Sequence, residues 1–260
     1  MTEPVNTIRD CREFIINELT GLYPSREIKS LSNIILIKLT GLPLSSLLSD
    51  PGKHVSEPVW IKINEICDHL KVFMPIQYIL GETEFLGHTL RVSDSVLIPR
   101  PETEELADLV IRENQESHLR ILDVGTGSGA IAISLALGMN SADIRAIDIS
   151  SEIIGIAEVN SRINGAGVTF IQDNILEPTS NHLIYDIIVS NPPYVREMEK
   201  SRMSPNILNY EPHIALFVPD DDPLLFYRAI MEFSEQRLSP GGKLYFEINE
   251  ELGSEVYDLA

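Results

Sequence analysis

Two short segments carry residues whose types and order could do chemistry. In Ser190-Asn191-Pro192-Pro193-Tyr194, two consecutive prolines stand between an asparagine and a tyrosine. Proline has no N–H, so the pair offers carbonyl acceptors without neighbouring donors, while Asn191 adds a side-chain acceptor and Tyr194 an aromatic face. Such a set suits a planar NH2 on an sp2 centre. An amide or exocyclic amine is a poor nucleophile because its lone pair is delocalised. Acceptors that grip both N–H bonds, out of the plane that resonance prefers, localise that pair and aim it at an electrophilic methyl group. The second segment is Asp123-Val124-Gly125-Thr126-Gly127-Ser128-Gly129-Ala130. Its three glycines let the backbone turn tightly and approach a ligand before a helix begins, which implies a nucleotide-like cofactor. The spacing also satisfies the dinucleotide fingerprint, and Asp148, about 20 residues further on, suits a ribose hydroxyl in either case. The loop by itself leaves nicotinamide and S-adenosylmethionine both open.

Both segments need strands to end where they begin. From Leu119 onward, short β-branched runs alternate with helical patterns: strands are expected at Arg120–Val124, Ile144–Ile149, Val168–Gln172, Tyr185–Ser190 and Lys243–Ile248, and helices from Ser128, Ser151 and Pro223. That alternation is the signature of an α/β domain with a doubly wound, mostly parallel sheet, whose ligands lie beyond the carboxyl ends of its strands. The first part of the chain has a different period. Ile8, Cys11, Ile15, Leu19 and Leu22, then Ile28, Leu31, Ile35, Leu39 and Leu42, then Val59, Ile63, Ile66, Cys67 and Leu70 recur at three and four, with Ser56 and Pro58 opening the third stripe. Residues 1–73 therefore form a small helical domain and 101–260 the α/β domain. Residues 74–100 are a linker holding a β-hairpin, its tight turn expected at Gly87-His88. Pro101 opens a helix whose first turn carries Glu102, Glu104 and Glu105, matching the positive end of its dipole.

Charge narrows the partners. Twenty Lys and Arg face 39 Asp and Glu, a net charge of −19, where a nucleic-acid binder needs cations to displace counterions. No stretch approaches the roughly 18 to 20 apolar residues of a membrane span, and the first residues lack the pattern of a secretory signal, so a cytoplasmic protein is expected. Cys11 and Cys67 lack metal-ligand spacing and are expected to be reduced thiols; no metal site is foreseen.

With these residues in hand, the chain resembles the release-factor glutamine methyltransferases, the PrmC/HemK family. The resemblance rests on Pro75-Ile76-Gln77-Tyr78-Ile79-Leu80-Gly81, Leu97-Ile98-Pro99-Arg100-Pro101-Glu102-Thr103-Glu104, the Asp123–Ala132 loop, Ile188–Tyr194, Glu211-Pro212-His213-Ile214-Ala215-Leu216 and Phe246-Glu247-Ile248. The glycine loop is shared by many methyltransferases and Asn-Pro-Pro-Tyr by several amino-methylating families, whereas the Ile98–Glu104 run together with a helical domain is specific. The resemblance implies a class I, Rossmann-like methyltransferase preceded by a substrate-recognition domain. It implies N5-methylation of the glutamine in the Gly-Gly-Gln loop of peptide chain release factors, with S-adenosylmethionine as donor and S-adenosylhomocysteine as product. Carried onto this chain, Gly125, Thr126, Gly127, Ser128 and Gly129 wrap the methionine part of the cofactor, Asp148 takes the ribose, and Asp173 with Asn174 borders the adenine. Asn191 stands between cofactor and substrate, holding the glutamine amide with Pro192 and Pro193, and Tyr194 lines the slot. Arg100 and Glu211 close the substrate side, the plainer alternatives being an acidic helix start and a braced loop. The partner expected is a release factor, met by a monomer without nucleic acid or membrane.

Two departures stand out. Asn249 follows Glu247-Ile248 where the family usually has glycine, and Ala260 falls where the family continues into two further antiparallel strands, so a longer natural chain is expected. Pro219-Asp220-Asp221-Asp222-Pro223 reads as a solvated acidic helix start. The competing readings are an adenine-N6 methyltransferase acting on nucleic acid, which faces the same NH2 problem; a non-catalytic module that binds release factor; and an NAD-dependent oxidoreductase, for which Asn-Pro-Pro-Tyr has no use.

Overall fold

Apolar spacing explains the first helices of the computed structural model, which describes residues 6–179 and 183–260. Helices α1 (Ile8–Leu19), α2 (Ser25–Thr40), α3 (Leu44–Ser49) and α4 (Glu57–Lys71) bury most of the expected stripes, among them Ile8, Cys11, Ile15 and Leu19 on α1 and Ile63, Ile66, Cys67 and Leu70 on α4, whereas Leu22, past the end of α1, is exposed. Thr7 caps α1 in a reciprocal box with Asp10, and Gly41 ends α2 in the left-handed conformation at φ 67°. Ser56 occupies the N-cap position of α4 and Pro58 its first turn, although the Ser56 side chain makes no capping bond. Both cysteines are free, and burial pushes the Cys67 thiol up to about 12 and Cys11 to about 11, so neither is a ready nucleophile. None of the described helices is long and apolar enough to cross a membrane.

The chain divides by contacts into two units, 1–79 and 80–260. Helix α5 (Ile76–Leu80) crosses this division, inside the segment expected to be linker. In the second unit, β1 (Glu82–Phe85) and β2 (His88–Arg91) form the antiparallel hairpin, with Phe85 opposite His88. The expected turn at Gly87-His88 is corrected: Leu86 and Gly87 are the central residues, at φ 46° and 78°. A type I′ turn, whose twist matches that of the strands, needs positive φ at both centres, and here Leu86 takes the first and Gly87 the second. The hairpin is part of the α/β core. Phe85 and Leu90 are buried with Ala107, Ala130 and Ile133. The Leu86 N–H donates to Glu104 Oε1 at 2.8 Å, and Asn160 accepts from Arg91 N–H at 2.6 Å while donating to the carbonyls of Arg91 and Ser128 at 2.9 and 2.8 Å.

Next come α6 (Pro101–Glu113), β3 (Arg120–Val124), α7 (Ala130–Gly138), β4 (Asp143–Asp148), α8 (Ser151–Asn164), β5 (Val168–Gln172) and β6 (Tyr185–Ser190). After them the chain runs through β7 (Val195–Arg196), α9 (Pro205–Tyr210), β8 (Phe217–Val218), α10 (Leu225–Arg237), β9 (Leu238–Phe246) and α11 (Gly253–Leu259). The main sheet has the order β5-β4-β3-β6-β9 with every pairing parallel. Successive residues alternate between two cores: Ile121, Ile187 and Val189 pack with Leu106, Val110, Ile131 and Leu135, whereas Leu122, Val124 and Ile188 pack with Ile230 and Phe233. Helices thus cover both faces, the condition for a parallel sheet. Four expected boundaries shift. β4 runs 143–148 rather than 144–149. α7 starts at Ala130, because Ser128 and Gly129 belong to the turn; α10 starts at Leu225, after a turn in which Asp222 pairs with Arg228; and the last strand runs 238–246 rather than 243–248. Asn249 lies at φ −67° and caps the turn after it, so no glycine is required there.

Strand β3 carries a fully buried carboxyl group into the sheet end. Asp123 Oδ2 accepts from Thr126 Oγ1 at 2.7 Å and from Ala132 N–H at 3.2 Å, tying the glycine loop to the start of α7, while Oδ1 has no partner among the described residues. Burial raises this carboxyl to about 7, against the two hydrogen bonds that favour its charged form. The unfolded chain releases the same proton near 3.8, so between about pH 4 and 7 the folded state binds more protons, and stability falls as pH rises through that window. Buried Asp148, also raised by burial, contributes in the same direction. Urea midpoints measured from pH 4 to 8 should show this decline, and Asp123→Asn, which keeps an acceptor for Thr126 and Ala132, should flatten it. Phe85→Ala should cost the second unit about 3 kcal/mol or more in the same assay, since Phe85 is a core side chain and not part of a loose connector.

Candidate active site

The point where strand order reverses lies between β3 and β6, the neighbouring central strands. Their last residues, Val124 and Ser190, are register partners, and Ser190 Oγ donates to the Val124 carbonyl at 2.7 Å. The glycine loop and Asn191-Pro192-Pro193-Tyr194 therefore leave the sheet side by side. They border a cavity of about 250 Å³ lined by Gly125, Gly127, Asp148, Asp173, Asn174, Asn191, Pro192 and Pro193, with Ile149, Ile153, Ile175 and Leu176 as apolar wall.

The loop residues divide by role. Gly125 and Gly127 have φ of 72° and 55°, and a Cβ on either would meet no atom within 4 Å. Their open faces are on the cavity, a cradle that side chains would fill. Thr126, Ser128 and Gly129 do not line it. Thr126 is turned to Asp123, the Ser128 carbonyl accepts from Asn160, and a Cβ on Gly129 would come within 3.3 Å of Ala157, so Gly129 lets α7 approach α8. Asp148 accepts from Gly127 N–H at 3.0 Å, and each of its carboxylate oxygens has a second lone pair for a hydroxyl. Asp173 Oδ1 is engaged with the N–H groups of Asn174 and Thr179 and the Thr179 hydroxyl, which shapes the loop beside it. Glycine cradle, carboxylate and apolar walls fit the methionine, ribose and base of an adenosyl cofactor.

A second cavity, of about 40 Å³, adjoins the first and shares Leu97, Asn191, Pro192 and Ala215 with it. Arg100, Tyr194 and Glu247 also line it. The Arg100 Nη2 contacts both carboxylate oxygens of Glu211, at 2.6 and 2.7 Å, and the Glu211 side chain is 1% exposed. Arg100 thus faces the cavity while Glu211 stands behind it, and loss of the guanidinium would strand a buried charge.

Thr103 and Glu247 are the site residues the motif reading passed over. Asn191 Nδ2 donates to Thr103 Oγ1 at 3.0 Å, Thr103 Oγ1 donates to Glu247 Oε2 at 2.6 Å, and the Tyr194 hydroxyl donates to Glu247 Oε1 at 2.8 Å. Strand register places Glu247: Ser190 partners Phe246, and Glu247 N–H donates to the Ser190 carbonyl at 3.0 Å. Burial, reinforced by Glu247, holds the Tyr194 phenol well above its ordinary range, so it stays neutral. Both residues lie in segments that carry the family resemblance, but only the fold connects them to Asn191: strand register places Glu247, and α6 brings Thr103 between it and Asn191.

A family model described as "Methyltransferase small domain" matches residues 105–210. The chain is similar to a release factor glutamine methyltransferase of Flavobacterium psychrophilum, 44% identical over 97% of this chain and 90% of the relative. It is also similar to one of Bacteroides thetaiotaomicron, 45% identical over 94% and 87%. Among solved structures, a T. thermophilus 16S rRNA N2 methyltransferase in complex with AdoMet and guanosine shares the fold, with a TM-score of 0.50 at 17% identity, covering 68% of this chain and 44% of that one. The choice left open by the glycine loop falls to S-adenosylmethionine over nicotinamide. By identity sustained over almost its whole length, with the doubly wound sheet and paired cavities described above, the chain belongs to the release factor glutamine methyltransferase family.

Proposed function

We propose that the protein methylates the N5 amide nitrogen of the glutamine in the Gly-Gly-Gln motif of a peptide chain release factor, with Asn191, Pro192, Pro193 and Tyr194 forming the amide's slot. The observation that carries this reading is the pair of adjoining cavities with Asn191 and Pro192 in the wall between them. The larger suits the cofactor, in the cradle of Gly125 and Gly127 with Asp148 at the ribose and Asp173 and Asn174 beside the adenine; the smaller suits a side-chain amide. Thr126, Ser128 and Gly129 serve by holding the cradle's shape. S-adenosylmethionine supplies a methyl group made electrophilic by the positive sulfur.

The chain's part is to orient and to accept. Asn191 Oδ1 and the Pro192 carbonyl take the two amide N–H bonds, which grow more acidic as the nitrogen becomes positive, so these contacts tighten in the transition state more than in the ground state. Tyr194 closes the slot, and Arg100, braced by Glu211, bounds it from the α6 side. No obligatory base is assigned: the neutral phenol of Tyr194 is tied to Glu247, and the proton leaving the nitrogen goes to water. The helical residues 1–73 are assigned to recognition of the release factor, and residues 101–260, with the hairpin of the 74–100 segment, to catalysis. The partner is a release factor met by a monomer in the cytoplasm, and a net charge of −19 supports a site free of nucleic acid.

Transfer of labelled methyl from S-adenosylmethionine to purified bacterial release factor, with adenine-containing DNA in parallel, tests the reading. Label is expected on the Gly-Gly-Gln glutamine by mass analysis, falling at least about 100-fold in Asn191→Ala, the scale of losing one preorganised polar contact to developing charge. Label on DNA alone would overturn it. The kcat is expected to show no essential titrating group between pH 6 and 9; a sigmoid rise in that range, removed with Tyr194→Phe, would restore a general base.

A further inference from the structure

We propose that Thr103 and Glu247 are positioning residues that fix which end of the Asn191 amide faces the substrate, an inference that rests on the function proposed above. The carbonyl and NH2 ends of an asparagine amide have nearly the same shape, so packing alone does not choose between them. Hydrogen-bond accounting does.

A carboxylate can only accept. Glu247 is met at Oε2 by Thr103 Oγ1 at 2.6 Å and at Oε1 by the Tyr194 hydroxyl at 2.8 Å, so each hydroxyl commits its single proton to it. With that proton committed, the Thr103 oxygen can only accept from Asn191, 3.0 Å away, and the Asn191 atom turned to it must be Nδ2. The opposite orientation would set two acceptors against each other beside Thr103, which is 4% exposed, where water offers little relief. Oδ1 is then the amide atom left for the cavities that Asn191 lines.

An acceptor at that place is what a substrate NH2 requires. A turned Asn191 would set NH2 against NH2 and favour a carboxylate over an amide. The relay is itself anchored at Glu247, whose N–H donates to the Ser190 carbonyl at 3.0 Å and whose carbonyl accepts from the Tyr227 hydroxyl at 3.2 Å. The polarity of one carboxylate on the β9 end is thus passed through one hydroxyl on α6 to the residue after β6.

The test compares wild type, Thr103→Val and Thr103→Ser in methyl transfer from S-adenosylmethionine, and in binding of release factor bearing Gly-Gly-Gln or Gly-Gly-Glu in the presence of S-adenosylhomocysteine. Wild type should prefer the amide by about tenfold or more. Thr103→Val, close in volume but without a hydroxyl, should lose about 10- to 100-fold in kcat and at least threefold of that preference, with cofactor affinity unchanged within twofold. Thr103→Ser should recover both. An unchanged preference in Thr103→Val, or wild-type kcat from it, overturns the relay, because a merely structural Thr103 would not alter discrimination between amide and carboxylate. If Thr103→Val does not fold, Glu247→Gln takes its place with the same expected loss of preference, since its carboxamide can donate to Thr103 and free Asn191 to turn. Absence of wild-type transfer to release factor overturns the function and the relay together, whereas wild-type transfer with unaltered preference in the variant overturns the relay alone.

Discussion

The parallel register of β3, β6 and β9 is the constraint from which the site follows. Because Val124 is paired with Ser190 and Ser190 with Phe246, the residues that come next in each strand leave the sheet at one edge: Gly125 of the cofactor cradle, Asn191 of the substrate slot and Glu247 of the relay. A slip of one residue in either pairing would turn the alternating core residues to the wrong face, so the hydrophobic cores on the two sides of the sheet hold the site's geometry. Catalytic alignment and fold stability share the same interactions here. The hairpin adds to both, since Asn160 ties β2 to the Ser128 carbonyl of the glycine loop.

Much of this was legible in the sequence, for identifiable reasons. Strands with short β-branched runs declare themselves, and 120–124, 168–172 and 185–190 were placed to the residue. The glycine loop and the prolines after Asn191 mark themselves by what they lack, a Cβ and an N–H. The turn at Leu86-Gly87 was not legible, because leucine is a poor candidate for positive φ and the register Phe85 to His88 overrides its local preference. The separate duties inside the glycine loop were hidden for another reason. Gly125 and Gly129 look alike as letters, yet a Cβ on one would enter open space and a Cβ on the other would press on Ala157.

Thr103 and Glu247 show where motif reading ends. Each lies in a segment that looks notable, but neither segment says that a hydroxyl from α6 will meet a carboxylate from β9 above Asn191. Only the fold brings together residues 88 and 144 positions apart, by the separations of the two hydrogen bonds that Thr103 makes. What results is a sequence of proton positions fixed by one acceptor-only group, ending in a side-chain oxygen where a substrate amide needs one.

That placement can be seen directly. A crystal structure of the protein with S-adenosylhomocysteine and a Gly-Gly-Gln release factor should show the glutamine amide nitrogen in the smaller cavity, within about 3.2 Å of both Asn191 Oδ1 and the Pro192 carbonyl oxygen. A glutamine whose carbonyl oxygen faces Asn191, or whose amide lies outside that cavity, would contradict the account.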